Sequence, residues 1–156
     1  MNAFGKLSTG LLITLALISG GCKRRVVPPA DTETLAALQD YQPIPTLDDQ
    51  GRVIKLKLEG AQVQDHALEL VKALTELKDL SLYGASITDQ GLTHLSNARQ
   101  LEALGLGKTK ITGRGLDHLT RLPALRWVWV TENKSLTQAD FDKFKAKAVP
   151  GITVFQ

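Results

Sequence analysis

A 24-residue period is the feature that most constrains how this 156-residue chain can fold. Each of four successive copies carries a pair of apolar residues separated by one other residue. The pairs are Leu56 with Leu58, Leu80 with Leu82, Leu104 with Leu106, and Val128 with Val130. This alternation predicts that each copy begins with a β-strand that buries one of its faces. The same register continues through a third apolar position, occupied by Val63, Ile87, Ile111 and, one residue late, Leu136.

A helical pattern follows each predicted strand and is clearest in the second and third copies, "ITDQGLTHLSNARQL" and "ITGRGLDHLTRLPAL". Thr88 and Thr112 are suitable N-caps for these helices. Leucines spaced three apart, Leu92 with Leu95 and Leu116 with Leu119, predict the buried helix face. One strand and one short helix cannot bury their apolar faces alone, so the copies are expected to stack along a continuous core.

The spacing L-x-x-L-x-L-x-x-(N/T)-x-(I/L) resembles the leucine-rich repeat, and "ITDQGL" and "ITGRGL" resemble the repeats of small bacterial leucine-rich-repeat proteins. The resemblance covers residues 47–156. It implies an α/β fold, a short right-handed β/α horseshoe segment with a parallel sheet on its concave side. The family's asparagine, which bonds the neighbouring backbone, corresponds here to Ala61, Ala85, Thr109 and Asn133. Only the last two can make that bond, so the first two turns are expected to be looser.

Both ends of such a stack need a cover for their apolar layers. Residues 32–52 predict an N-terminal cap, with a helix from about Thr32 to Tyr41 and then a hairpin whose turn contains the left-handed Gly51. Residues 53–156 comprise the repeats and a C-terminal cap. In that cap, Thr137 and Asp140 have capping-box spacing. The cap helix is expected to turn Phe141 and Phe144 inward and Lys143, Lys145 and Lys147 outward, before a last strand through Ile152 and Val154.

The first 21 residues are interpreted as a signal peptide. Sixteen uncharged residues, "LSTGLLITLALISGGC", follow Lys6, which is fewer than the about 20 that a spanning helix needs. Cys22 follows small residues, as in the bacterial lipobox, and that resemblance implies an acylated cysteine and an exported, membrane-anchored lipoprotein. The alternative is ordinary signal cleavage nearby, leaving a free thiol. Residues 22–31 would be the tether, in which Pro28 and Pro29 are expected to discourage helix. The sorting rule of the lipoprotein family implies that Lys23, next to Cys22, favours the outer membrane in a two-membrane cell.

The tripeptide Gly107-Lys108-Thr109 raises the question of nucleotide binding, because it ends a phosphate-binding loop. Such a loop also needs a glycine at position 102, which is Glu102, and a helix that opens directly on the lysine. The repeat places the helix start later, near Thr112. We therefore predict no nucleotide site. The 19 basic and 16 acidic residues are mixed along the chain, which is not the charge pattern of a nucleic-acid-binding protein.

No combination of residues predicts catalysis, a metal or a cofactor. His94 and His118 are one period apart, but the first copy has Leu70 at that place and no third ligand recurs. The neighbours Asp65 and His66 would point about 100° apart on a helix, and so would Asp117 and His118. We therefore expect a non-enzymatic protein.

The candidate binding site lies on the outward side of the sheet, where Trp127 and Trp129 alternate with buried residues. The period places Trp127 between Ala103 and Gly151, and Trp129 between Gly105 and Thr153. Tyr83 and Phe155 also point outward, farther from the tryptophans.

Two interpretations of these aromatic residues remain open: they shield glycine backbone, or they bind a partner. We expect a protein or peptide partner in the cell envelope, bound by the concave sheet. The alternative is a glycan or cell-wall ligand that stacks on Trp127 and Trp129.

Overall fold

The computed structural model describes residues 28–156, which fold into a six-stranded, mostly parallel β-sheet and five α-helices. The strands are β1 (Ile44–Leu47), β2 (Val53–Lys57), β3 (Asp79–Ser81), β4 (Ala103–Gly105), β5 (Trp127–Trp129) and β6 (Thr153–Phe155). The helices are α1 (Pro29–Ala37), α2 (Asp65–Val71), α3 (Asp89–Leu92), α4 (Gly113–Leu119) and α5 (Gln138–Lys147). Short 3₁₀ helices follow α1 at Gln39–Tyr41 and α3 at Thr93–Asn97.

The predicted signal peptide, Cys22 and most of the predicted tether lie outside the described residues. Within the described part of the chain, no helix has the length and apolarity needed to cross a membrane.

The strand order follows the chain, from β1 to β6. β1 and β2 form an antiparallel hairpin, and every later pair is parallel. Leu56, Leu80, Leu104 and Val128 are aligned across β2 to β5. This alignment confirms the 24-residue register from β2 to β5 and the α/β class with a parallel sheet.

One face of the sheet is buried and the other is open. The apolar strand pairs, the third apolar positions through Ile111, and the inward leucines of the helices all belong to one core cluster. Each helix contacts the next along the chain, so the helices form a second layer over the buried face. The opposite face, which carries the outward strand residues, is not covered by any described element.

The predicted N-caps are confirmed at Thr88 and Thr112. The Thr88 hydroxyl accepts a hydrogen bond from the Gln90 amide, and the Thr112 hydroxyl accepts one from the Arg114 amide, each at 3.3 Å. The capping box at the start of α5 is also present, and Phe141 and Phe144 are buried. These features depend on residue spacing within one helix, which explains why they could be predicted.

The N-terminal helix begins at Pro29, earlier than the expected start near Thr32. The expectation that proline would discourage helix there is wrong for Pro29, because proline is tolerated in a first turn, where its missing N–H would have no intrahelical partner. The predicted hairpin is confirmed, with Gly51 at a φ of 81°. The buried Asp31 carboxylate accepts a hydrogen bond from the Val53 amide at 2.8 Å and thereby ties α1 to the hairpin.

Two aspartates link consecutive copies through contacts that the sequence pattern did not predict. Asp65 accepts hydrogen bonds from the amide and hydroxyl of Thr88, at 2.8 and 2.6 Å. Asp89 accepts the same two bonds from Thr112, at 2.7 and 2.6 Å. Each carboxylate therefore holds the N-cap of the next helix. The recurrence of aspartate one residue after the N-cap position was the available signal.

Glycines make room for these carboxylates. A Cβ atom added to Gly91 would overlap the Asp65 carboxylate, and one added to Gly115 would overlap that of Asp89. The third copy has Gly113 in place of the aspartate, and a Cβ at that glycine would overlap Asp140. Asp140 instead accepts hydrogen bonds from the amide and hydroxyl of Thr137, the N-cap of its own helix. The recurring "GL" in the helix sequence is thus explained by packing between copies.

The asparagine position behaves as expected in the last copy, where Asn133 bonds the backbone of the preceding copy, whereas the Thr109 hydroxyl bonds a backbone carbonyl of its own copy. The Asn133 side-chain oxygen accepts a hydrogen bond from the Thr109 amide at 2.7 Å, and its side-chain nitrogen donates one to the Leu106 carbonyl at 2.7 Å. The Thr109 hydroxyl donates to the same carbonyl at 2.9 Å. The tripeptide that resembles a phosphate-binding loop therefore lies in the turn after β4, and α4 begins only at Gly113.

The lysines of α5 are exposed, as expected, but two of them also make specific contacts. Lys143 and Lys147 donate hydrogen bonds to the two carboxylate oxygens of Asp117 on α4, at 3.0 and 3.1 Å. The bond from Lys143 is the main cause of a lowered pKa at Asp117. These exposed ion pairs connect the last two helices of the layer.

Candidate functional site

Four aromatic side chains share the open face of the sheet, and we call them the aromatic patch: Tyr83, Trp127, Trp129 and Phe155. Their exposed fractions lie between 38% and 42%, although large aromatic rings are usually more buried. Val128, between the two tryptophans, is fully buried. The alternation along β5 thus confirms that both indoles point away from the core.

The structure corrects the predicted neighbours of the tryptophans on one side. Ala103 and Gly105 flank them on β4 as predicted. On β6, however, Trp127 pairs with Thr153 and Trp129 with Phe155, so the predicted partners Gly151 and Thr153 are wrong by two residues. The 24-residue period fails here because the segment between β5 and β6 is two residues longer than the one between β4 and β5, with a longer helix and connections of different length.

This shift brings Phe155 onto Trp129, contrary to the expectation that Phe155 would be farther away. The two rings are stacked, with centroids 5.1 Å apart and an interplanar angle of 10°. One face of the Trp129 ring is therefore covered by an aromatic neighbour, and the ring is held in place. Stacking of this kind fixes a side chain that an exposed position would otherwise leave free to change rotamer.

Tyr83 and Trp129 border a shallow groove of about 300 Å³ on the open face. The other residues that line it are Asp79, Ser81, Gly105, Gly107 and Thr131. The groove thus combines two aromatic rings, two backbone segments without side chains, and a few polar groups. Ligand sites often have this composition.

The two glycines of the groove have different roles. A Cβ added to Gly107 would lie 2.7 Å from a Tyr83 ring carbon and 2.8 Å from the Thr131 hydroxyl, so Tyr83 covers this glycine. A Cβ added to Gly105 would meet nothing closer than 3.5 Å. Shielding of glycine backbone therefore accounts for Tyr83 over Gly107, whereas the space above Gly105 stays open beside Trp129.

The Tyr83 ring is held by a hydrogen bond from its hydroxyl to Glu132 Oε1, at 2.6 Å. This bond favours the protonated phenol and, with the negative charge of the carboxylate, raises the pKa of Tyr83 above its ordinary value of 10.0. The hydrogen bond is present in the folded protein at pH values below the raised pKa of Tyr83 and is lost as the pH rises through that pKa. Tyr83 therefore acts as a neutral, oriented ring at physiological pH.

We expect the substitution Glu132→Gln to lower the pKa of Tyr83 towards 10.0, because the amide keeps an acceptor but removes the charge. Phenolate absorbance during an alkaline titration measures this pKa, and a Tyr41→Phe background leaves Tyr83 as the only tyrosine. A Glu102→Gln variant is the matched control and should leave the titration unchanged. An unchanged midpoint in Glu132→Gln would contradict the hydrogen bond.

The histidines do not form a shared site with the neighbouring aspartates. Asp65 contacts Thr88, and His66 instead lies 3.3 Å from Glu69, measured from Nδ1 to Oε2. Asp117 contacts the lysines of α5. His94 is partly buried and His118 is exposed. Among residues 28–156, no group of three or more His, Cys, Asp or Glu side chains is arranged to hold a metal ion.

Comparisons with known proteins found no family model that matches the chain and no curated protein with significant similarity to it.

Proposed function

We propose that this protein is a membrane-anchored member of the leucine-rich-repeat class that binds a protein or peptide in the cell envelope. The observation that carries the proposal is the aromatic patch, with its four half-exposed rings on the open face of the sheet. Tryptophan and tyrosine are enriched among the residues that dominate binding energy at protein interfaces. The open sheet face would be the concave, partner-binding side of a short solenoid.

The alignment of strands that recur every 24 residues supports the repeat class, as does the contact that Asn133 makes with the preceding copy. Stacked copies of one strand–helix unit would present their outward strand residues as one continuous surface. A rigid surface of this kind loses little conformational entropy on binding. The function is proposed to be binding without catalysis.

The anchor is a separate part of the proposal and concerns Cys22. Replacing Cys22 with Ser is expected to move the protein from the membrane fraction to the soluble fraction, because one apolar anchor would be lost. Fractionation of cells followed by immunoblotting measures this. A Lys23→Gln variant, which keeps the cysteine, is the control. Membrane retention and normal processing of the Cys22→Ser protein would contradict lipidation.

A glycan or cell-wall ligand is the second candidate. Asp79, Ser81 and Thr131 line the same groove as Trp129, so polar groups that could bond sugar hydroxyls lie beside a possible stacking ring. This candidate predicts retention on isolated cell wall and no envelope protein partner. The same tryptophan variants therefore test both candidates.

The binding face is tested by capturing partners from detergent-solubilised envelopes with the full-length protein, in parallel with sedimentation on isolated cell wall. The Trp129→Ala variant is expected to lose about 2 kcal/mol of binding free energy, or roughly 30-fold in affinity. Lys145→Ala is the control, because Lys145 is exposed on α5, in the helix layer on the other side of the sheet from the aromatic patch.

Trp127→Ala and Trp129→Ala also separate binding from shielding. A binding role predicts weaker capture and a smaller change in unfolding free energy, because neither ring fills the core. A shielding role predicts lower stability with unchanged capture. Folded variants that bind as well as the wild type would remove the aromatic patch from consideration.

A further inference from the structure

We propose that the groove between Tyr83 and Trp129 receives a cationic side chain, a lysine or arginine, presented by the partner. This inference rests on the proposed function, because it names the chemistry that the binding face would recognise. It depends on three properties of the groove: its charge, its aromatic walls and its open floor.

Asp79 is the only residue lining the groove that has a formal charge, and that charge is negative. Its carboxylate is partly exposed, and its ion-pair partner is Lys55, at 3.5 Å from Nζ to Oδ2. Exposed pairs of this kind contribute about 0 to 1 kcal/mol, so a better-placed cation can displace Lys55. Charge complementarity therefore favours a cation in the groove.

The walls are aromatic rings that are already oriented. Phe155 stacks on Trp129, and Glu132 holds the hydroxyl of Tyr83. A lysine ammonium or arginine guanidinium over such a ring is attracted by its quadrupole, by about 0.5 to 1 kcal/mol at an exposed site. Because the rings are already fixed, this attraction would not be offset by the entropy of ordering them. The Glu132 carboxylate adds a second negative charge beside Tyr83.

The floor is open because Gly105 has no side chain. Gly105 is not explained by backbone conformation or by crowding, since a Cβ atom would fit there in ordinary contact. Because Gly105 has no side chain, there is room beside Trp129 for the alkyl stem of a long cationic side chain, whose charged end would reach Asp79. A neutral sugar gains less, because it has no charge to pair with Asp79 and because the Ser81 hydroxyl, which donates to Glu59 at 2.6 Å, can serve it only as an acceptor.

The test uses full-length protein in detergent micelles and small probes of known chemistry. The probes are the N-acetyl methylamides of arginine and lysine, the neutral isostere citrulline in the same form, and a neutral β-linked disaccharide. The chain has two tryptophans, so two indole N–H signals in a nitrogen-correlated NMR spectrum report on binding, and Trp127→Phe assigns them. The cationic probes are expected to shift the Trp129 signal, and citrulline is not.

Three variants on the open face are expected to change probe binding in different ways. Asp79→Asn should raise the Kd of the cationic probes about fivefold, and Lys55→Gln should lower it by a similar factor, because Asp79 is then unpaired. Gly105→Leu should abolish the shift by filling the groove. Lys145→Gln, an exposed charge removal on α5, is the matched control and should change nothing. Thermal unfolding checks that each variant is folded.

Equal binding of citrulline or the disaccharide would overturn the inference, as would an unchanged Kd in both Asp79→Asn and Lys55→Gln. If the probes fail while Trp129→Ala still abolishes capture of an envelope protein, the cationic occupant is wrong and the proposed function stands. If neither the probes nor capture depends on Trp129, both are wrong.

Discussion

Leu104→Ala is expected to lower the free energy of unfolding by about 2 to 5 kcal/mol, the largest effect predicted for this protein. Leu104 is fully buried in the middle of β4, between Leu80 on β3 and Val128 on β5. Truncation would leave a cavity that neither neighbour can fill, because their strands are held by the backbone ladder. Denaturant unfolding followed by circular dichroism measures the change.

Lys108→Ala provides the comparison, because Lys108 belongs to the tripeptide that resembles a phosphate-binding loop. Its side chain is exposed, and its left-handed backbone, with a φ of 54°, is equally accessible to alanine. The substitution should change the unfolding free energy by less than about 0.5 kcal/mol. If Lys108→Ala lowered the unfolding free energy more than Leu104→Ala did, the assignment of inward-facing strand residues would be wrong.

Gly115→Ala is expected to lower the unfolding free energy by about 2 to 3 kcal/mol, even though alanine favours helix more than glycine does. The new Cβ would overlap the Asp89 carboxylate and displace it from the amide and hydroxyl of Thr112. Two charge-assisted hydrogen bonds would be lost between consecutive copies. Their loss outweighs the gain of about 1 kcal/mol in helix propensity.

A double-mutant cycle with Asp89→Ala tests this cause directly. Asp89→Ala alone should be destabilising, but Gly115→Ala added to it should no longer destabilise and should recover up to about 1 kcal/mol of helix propensity, because the carboxylate is no longer in the way. Gly91 and Asp65 form the same contact one copy earlier and should give the same coupling. Gly105→Ala, where a Cβ fits without overlap, is the control. Additive effects in both cycles would contradict the steric explanation.

The fold-level predictions succeeded where they depended on short-range spacing. Alternating apolar residues identified strands β2 to β5, and a single period then aligned Leu56 with Leu80 and the later copies. Thr112 and Thr137 were recognisable as caps because a cap bonds amides two or three residues away. The start of α1 was misplaced because proline discourages helix interiors but is accepted in a first turn.

The candidate site was predicted only in part. The outward direction of Trp127 and Trp129 follows from alternation along one strand. The stacking of Phe155 on Trp129 does not, because it depends on the number of residues between β5 and β6. The contact between Tyr83 and Glu132 joins residues 49 positions apart, and no local pattern indicates it.

The sequence by itself determined which residues of each copy are buried and where helices α3, α4 and α5 begin, because both depend on the spacing of residues within one strand or helix. Only the tertiary structure decided which residues meet between copies. Asp89 reaches Thr112, Tyr83 covers Gly107, and Gly105 stays open beside Trp129. These contacts depend on how neighbouring copies are placed against one another, and small differences in helix length change them. The open groove, in which we place a cationic side chain of the partner, is a product of that placement.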